Sequence, residues 1–435
     1  MKQIIYQALP RLWRSGKFSD WDESAFSYLK SLGIDILWLT GIPRHSSGKP
    51  SVKGDPGSPY AIEDWMDTNP YLADNEEERM AEFEGLVRRA HAAGLKILTD
   101  FIPNHVARDY AGPVPHLDIC DYDWTDTVKI DYSAPGTWEA MYSIVRFWAS
   151  KGVDGFRCDM VELVPPEFMQ WLIARVKEEF PEVIFIAEVY RKESYRKYID
   201  EVRFDFLYDK SGLYDVLRDI MAGHGSARAI TWNWQFLQDL QPHMLNFLEN
   251  HDEQRLASRW FAGRPDCFAA LCASLMLNTA PFMLYFGQET GVDASDGHEG
   301  RTSIFNFARP ESLQRLYSHV HGQASLTAEE AAVLAGYRSA LQLAASPCVS
   351  EGLTFDLCYC QPADDGFDPD RHFAFLRHSD NVTMLLCCNF SDSEARLRIT
   401  IPEHAVDYLH LGTNPCPDGL PITIPPRGYI SVPAQ

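Results

Sequence analysis

A chain of 435 residues, 46% hydrophobic and 23% charged, is long enough for a large core and for more than one domain. Its formal net charge of −22, from 39 Lys and Arg against 61 Asp and Glu, argues against nucleic acid or an anionic membrane surface as a partner. It suits a neutral ligand, and 11 Trp, 19 Tyr and 24 Phe are compatible with sugar stacking, although any one ring is as readily core.

In chain order, the apolar runs are "IIYQALP" (4–10), "DILWLT" (35–40), "KILTDFI" (96–102), "GFRCDM" (155–160), "VIFIAEV" (183–189), "FDFLYD" (204–209), "MLNFLEN" (244–250) and "PFMLYFG" (281–287). Each reads as a strand. Amphipathic stretches such as "EEERMAEFEGLVRRAHAAG" and "TWEAMYSIVRFWASKG" lie between them and end in Gly, a common helix stop. Strands alternating with helices predict right-handed βαβ units, and eight such units predict a closed (β/α)8 TIM barrel. An open doubly wound sheet is the runner-up, weakened because no glycine-rich phosphate loop follows the first strand.

Two segments break the alternation. The stretch 106–137 reads as a short insertion after the third strand, splitting the barrel into 1–105 and 138–345. From 346 to 435 the runs "LTFDLCYC", "HFAFLRH", "NVTMLLCCNF", "EARLRITIP" and "GYISVPAQ" are short, alternating and separated by turn residues. They predict a C-terminal antiparallel β-sandwich domain. No run approaches ~18 apolar residues, so no transmembrane helix is expected. "MKQIIYQALPRLW" lacks a signal-peptide pattern, and the ten cysteines show no C-x-x-C or zinc-ligand spacing. Both favour a reducing, cytoplasmic location, with a processed secreted form as the alternative.

In such a barrel, chemistry occurs at the C-terminal ends of the strands. The third run ends with Asp100, Asn104 and His105, the fourth with Arg157 and Asp159, the fifth with Glu188, and the seventh with His251 and Asp252. Ionised groups are costly to bury unless paired. Arg157 and Asp159 stand two apart on a strand and so share a face. A buried ion pair closing the barrel would explain those two alone. With Glu188 and "NHD" on the same rim, glycoside chemistry explains more. A retaining glycosidase needs a carboxylate nucleophile and a protonated carboxylic acid about 5–5.5 Å apart. An arginine beside the nucleophile keeps it ionised.

These residues make the chain resemble the α-amylase family of glycoside hydrolases, family 13. "DFIPNH" (100–105), "GFRCDM" (155–160), "AEVY" (187–190) and "FLENHD" (247–252) are similar to its four defining regions, in order. "GSPYAIEDWMDTNP" (57–70) and "LYFGQETG" (284–291) extend the likeness over most of residues 1–310. The resemblance implies Asp159 as nucleophile, Glu188 as general acid/base and Asp252 as transition-state stabiliser. It implies that His105 and His251 donate to sugar hydroxyls, that Tyr60 stacks on the sugar and that Arg157 orients Asp159. The implied activity is hydrolysis of α-1,4-glucosidic bonds in starch-like glucans or maltooligosaccharides through a covalent glycosyl-enzyme. Transglycosylation by the same residues is the alternative, and a non-catalytic glucan-binding protein is a second. No cofactor is required by this chemistry. The family's structural calcium would fall at Asn104. The insertion is short, however, and "MVELVPP" follows the nucleophile where many members carry Lys and His. A set of about 6–8 oxygen ligands is therefore not legible.

Overall fold

The structure is a computed structural model and describes residues 2–295, 297–362, 365–380 and 382–434. All eight expected strands form, as Ile4–Ala8, Ile36–Leu39, Lys96–Phe101, Gly155–Cys158, Ile184–Ala187, Phe206–Tyr208, Met244–Phe247 and Phe282–Tyr285. Each pairs in parallel with its sequence neighbours, and Ile4–Ala8 pairs with Phe282–Tyr285 to close the barrel. The strands are short and almost wholly buried, as expected of a parallel sheet covered on both faces. Helices including Glu23–Ser31, Arg79–Ala92, Thr137–Ser150, Pro166–Glu179 and Phe268–Met276 alternate with them. Thr137–Ser150 buries Met141, Ile144, Val145 and Trp148, a helical spacing that lays one stripe on the barrel. Its stop at Gly152 is conformational: φ there is +93°, which a side chain resists.

The strands end earlier than their apolar runs. The fourth stops at Cys158, and the fifth at Ala187. Asp159 and Glu188 each lie one residue past the strand, yet their amides still bond to Phe101 O and Cys158 O at 2.9 and 3.1 Å. The chain turns away immediately afterwards. Met160 sits in the left-handed region (φ 44°, ψ 44°), a conformation costing roughly 1–2 kcal/mol for a side-chain-bearing residue.

Two excursions build the rim. One, after the second strand, is an antiparallel ribbon of Pro43–His45 with Ile62–Thr68. The other is the insertion after the third strand, a ribbon of His105–Ala107 with Thr127–Lys129.

After the helix Ala328–Ala344 comes the sheet-rich C-terminal part. Its antiparallel strands Leu353–Asp356, His372–Ser379, Val382–Asn389 and Tyr429–Ala434 form one sheet, and Ala395–Ile399 pairs with Leu420–Ile424 in a second. The strand Leu420–Ile424 and the helix Glu403–Leu409 were not among the runs expected from sequence. Alternation settles the packing. Phe373 and Phe375 join the barrel's core, while Ala374 and Leu376 join the core between the two sheets with Leu397, Ile399 and Ile424.

Candidate active site

Arg157 organises the rim. It lies on the fourth strand opposite Asp100 of the third, at 0% exposure. Gly155 two residues earlier admits the close approach of the fifth strand, since a Cβ there would meet Ile184 O at 2.7 Å. Arg157 Nη1 stands 2.5 Å from Asp159 Oδ1, and Nη2 stands 2.7 Å from Glu188 Oε1. Asp100 and Asp252 are farther from the same guanidinium, at 3.8 and 3.9 Å. Three rings surround it, with Trp38, Tyr60 and Tyr208 centroids 5.9, 5.5 and 5.6 Å away. One cation thus serves four carboxyl groups in a largely water-excluded place, so they cannot all ionise freely.

The environments split the acids. Burial raises Glu188 to about 7, against the pull of Arg157, and the charges of Asp159 and Asp252 push it further. Its carboxyl accepts from Met160 N–H and from Tyr190 Oη–H, both at 2.8 Å. Asp159 is also raised by burial, with Arg157 opposing the shift by charge and hydrogen bond. Asp252 moves the other way. Burial works against its charge, but His251 and Arg157 hold it down at about 2. Its side chain is the most exposed of the three, at 39%, and His251 Nε2 lies 3.0 Å away. Two acids of similar chemistry thereby hold different protonation near neutrality, which is what general-acid catalysis requires.

A cleft of about 500 Å3 opens over these groups, and Tyr60, His105, Asp159, Glu188 and Asp252 line it. Arg157 and His251 lie behind this surface. Both ring nitrogens of His251 are engaged, Nδ1 with Gln7 Nε2 at 2.8 Å and Nε2 with Tyr60 Oη at 2.6 Å and with Asp252. It is buried and placed to hold Tyr60 and Asp252, both of which line the cleft. His105 does line the cleft, and burial lowers its ring to about 4. Asn104 is buried beside it and does not reach the cleft.

Several groups were not anticipated. Tyr190 stands two residues after Glu188, past the end of the strand at Ala187, where strand alternation no longer sets the direction of a side chain. Arg301 Nε donates to Asp252 O at 2.7 Å from a loop more than forty residues on, for which the sequence carries no local signal. Tyr122, Trp124, Lys53 and Phe305 form cleft walls drawn from three separate excursions. Glu162 turns out to be a brace: its two oxygens accept from Tyr190 N and Arg191 Nε, both at 2.9 Å.

A parallel barrel with acids of divided protonation around one rim-facing arginine has the parts of a carboxylate-dependent glycoside site. Residues 23–112 and 120–330 match the model of the alpha-amylase catalytic domain. The chain belongs to the alpha-amylase family.

Among curated proteins, it is 31% identical over 257 residues to an alpha-1,4-glucan:maltose-1-phosphate maltosyltransferase of Cereibacter sphaeroides, covering 49% of this chain and 37% of that one. An alpha-amylase of Haloarcula japonica is 28% identical over 320 residues, covering 66% of this chain and 44% of that one. An oligo-1,6-glucosidase of Heyndrickxia coagulans is 25% identical over 394 residues, with coverage of 68% and 67%. The matches span less than half the length of the first two relatives. Among solved structures, a noncanonic maltogenic alpha-amylase of Thermotoga neapolitana superposes with TM-score 0.71 at 23% identity, covering 100% of this chain and 97% of that one. The fold therefore extends through the C-terminal sheets.

Proposed function

We propose that the protein is a retaining glycoside hydrolase that cleaves α-1,4-glucosidic bonds in starch-like glucans or maltooligosaccharides. The observation that carries this reading is the guanidinium of Arg157 holding Asp159 and Glu188 side by side at a cleft floor, 2.5 and 2.7 Å from its two terminal nitrogens. In the first half-reaction, Asp159 attacks the anomeric carbon. The bond to the leaving oxygen breaks as Glu188 gives that oxygen its proton. In the second, Glu188 takes a proton from water, whose oxygen attacks the same carbon and releases Asp159. Asp252, ionised by its neighbours, binds hydroxyls of the distorted sugar. His105 donates to a hydroxyl, and Tyr60 gives its ring face.

No residue in this sequence of steps needs a metal. A non-catalytic glucan binder would have no use for three acids gathered at such cost. Transglycosylation is the second reading, favoured by the similarity to a maltosyltransferase and by aromatic cleft walls suited to a sugar acceptor. Product analysis on maltoheptaose separates the two. Shorter products alone support hydrolysis, products longer than the substrate support transfer, and no turnover of any α-glucan overturns both.

The proposed setting is the cytoplasm. All ten cysteines are free thiols, six of them buried. Among the described residues, no helix is long and apolar enough to cross a membrane.

A further inference from the structure

Asn104, where the family resemblance implies a structural calcium, has surroundings that do not suit one. It is 1% exposed, and its Nδ2 donates to Asp121 Oδ2 at 2.8 Å. The other oxygen of Asp121 faces Lys129 Nζ at 3.3 Å. Both oxygens of the nearest carboxylate are therefore taken by N–H donors, and a cation there would sit against an ammonium. Asn104 Oδ1 is buried with no hydrogen-bond partner among the described residues. That is one oxygen, where calcium takes about 6–8. No cluster of three or more His, Cys, Asp or Glu that could hold a metal occurs among the described residues.

We propose that Lys129 supplies from the chain itself the positive charge that a bound cation would bring. Through Asp121 and Asn104, it fixes both the insertion's cleft wall and the tautomer of His105.

The wall follows directly from Asp121. It opens the segment that carries Tyr122 and Trp124 into the cleft, and Trp124 packs on the His105 ring at 5.4 Å. Lys129 is placed for this task by the ribbon, where it pairs with His105. Two more basic side chains tie down the same segment. Lys53 Nζ lies 3.4 Å from Asp126 Oδ1, and Arg108 Nε donates to Thr125 O at 2.6 Å.

The tautomer follows from Asn104. The same Nδ2 that donates to Asp121 lies 3.2 Å from His105 Nδ1. An amide nitrogen only donates, so Nδ1 accepts and the ring hydrogen resides on Nε2. Reversing the amide would set its oxygen against the Asp121 carboxylate, so the orientation is fixed electrostatically. Asn104 and Lys129 act through their neighbours and are positioning residues.

The test has readouts that need no substrate, so it stands apart from the proposed activity. Thermal unfolding of the full chain is measured in EDTA and in millimolar calcium, for wild type, Lys129→Met and Lys129→Arg. The expected result is a wild-type midpoint indifferent to both additions, a Lys129→Met midpoint about 3 °C or more lower, and a Lys129→Arg midpoint close to wild type. A wild-type midpoint that falls in EDTA and returns with calcium overturns the proposal, as does a Lys129→Met midpoint equal to wild type.

For the tautomer, 15N-histidine-labelled protein is compared with Asn104→Leu, with His105 assigned by its loss in His105→Gln. The ring should be protonated at Nε2 in wild type and of mixed tautomer in Asn104→Leu. An Nδ1–H ring in wild type, or an unchanged ring in the variant, rejects the role of Asn104.

Discussion

The rim of the barrel and the C-terminal sandwich are built on opposite terms. In the sandwich, local pattern and final packing agree: the strand His372–Ser379 sends alternate residues to two apolar cores. At the rim they conflict. Four acids crowd one buried arginine, Met160 takes a left-handed backbone, and the fourth and fifth strands stop one residue before Asp159 and Glu188. Such conflicts cost stability and persist where function needs them. The sandwich should therefore be sensitive in stability and indifferent in chemistry, and the rim the reverse.

The largest effects should come from the rim acids. Asp159→Asn and Glu188→Gln should each lower kcat by about 10^2–10^4-fold or more, with the circular dichroism of a folded protein preserved. Activity within tenfold of wild type in either folded variant would remove that residue from the mechanism. Early product, observed by proton NMR, should be the α-anomer; β-anomer released first would reject the two-step route.

Glu188→Gln also has a pH signature in stability. A carboxyl raised to about 7 when folded binds its proton more tightly than when unfolded. Its contribution is fully present below the unfolded value near ~4.3 and is lost as pH rises through 7. The Gln variant should therefore gain on wild type between those pH values, as followed by denaturant midpoints. A constant difference across that range would mean that Glu188 is not raised.

On the other side of the comparison, Phe375→Ala removes a ring buried between sheet and barrel. It should cost about 3–5 kcal/mol by denaturant unfolding. At a temperature where the variant is folded, kcat should stay within about twofold. A large loss of kcat there would mean that the two regions are energetically coupled and that their separation is wrong.

Arg157→Lys should act more moderately. Lysine keeps the charge but loses the planar fork that reaches Asp159 and Glu188 at once. We expect kcat to fall roughly 10–100-fold. Without the bond to Arg157, burial raises Asp159 further, so the acidic limb of the pH–kcat/KM profile should move to higher pH. An unmoved limb with near-normal kcat would leave Arg157 a structural ion-pair partner.

What was legible in the sequence divides along the same line. The eight strands could be read because short, β-rich apolar runs punctuated by glycine carry their structure locally. The positions of Asp159, Glu188 and Asp252 could be read because strand order in a barrel converts them into neighbours. The position of His251 could be read from its motif, but not that Gln7 and Tyr60 engage its ring nitrogens, because Gln7 lies on the first strand and Tyr60 in a distant excursion. Arg301 and Trp124 were missed because they arrive from long, irregular loops. The strand Leu420–Ile424 was missed because it is short and contains Pro421, which pairs at Arg398 in a two-stranded ribbon.

The smallest expected effect tests the finest feature of the rim. Tyr190 donates its hydroxyl hydrogen to Glu188 Oε1, and Met160 N–H donates to the other oxygen. Hydrogen bonds donated to a carboxylate favour its charged form, so both restrain the rise that burial imposes. Tyr190→Phe removes one donor and leaves the ring. Glu188 should then hold its proton to higher pH, and the basic limb of the kcat/KM profile should move upward by less than about one unit. Turnover at neutral pH should change only a few-fold, because the acid remains protonated and in place. Movement of the basic limb to lower pH, or none with kcat greatly reduced, would show that Tyr190 works on the substrate rather than on Glu188.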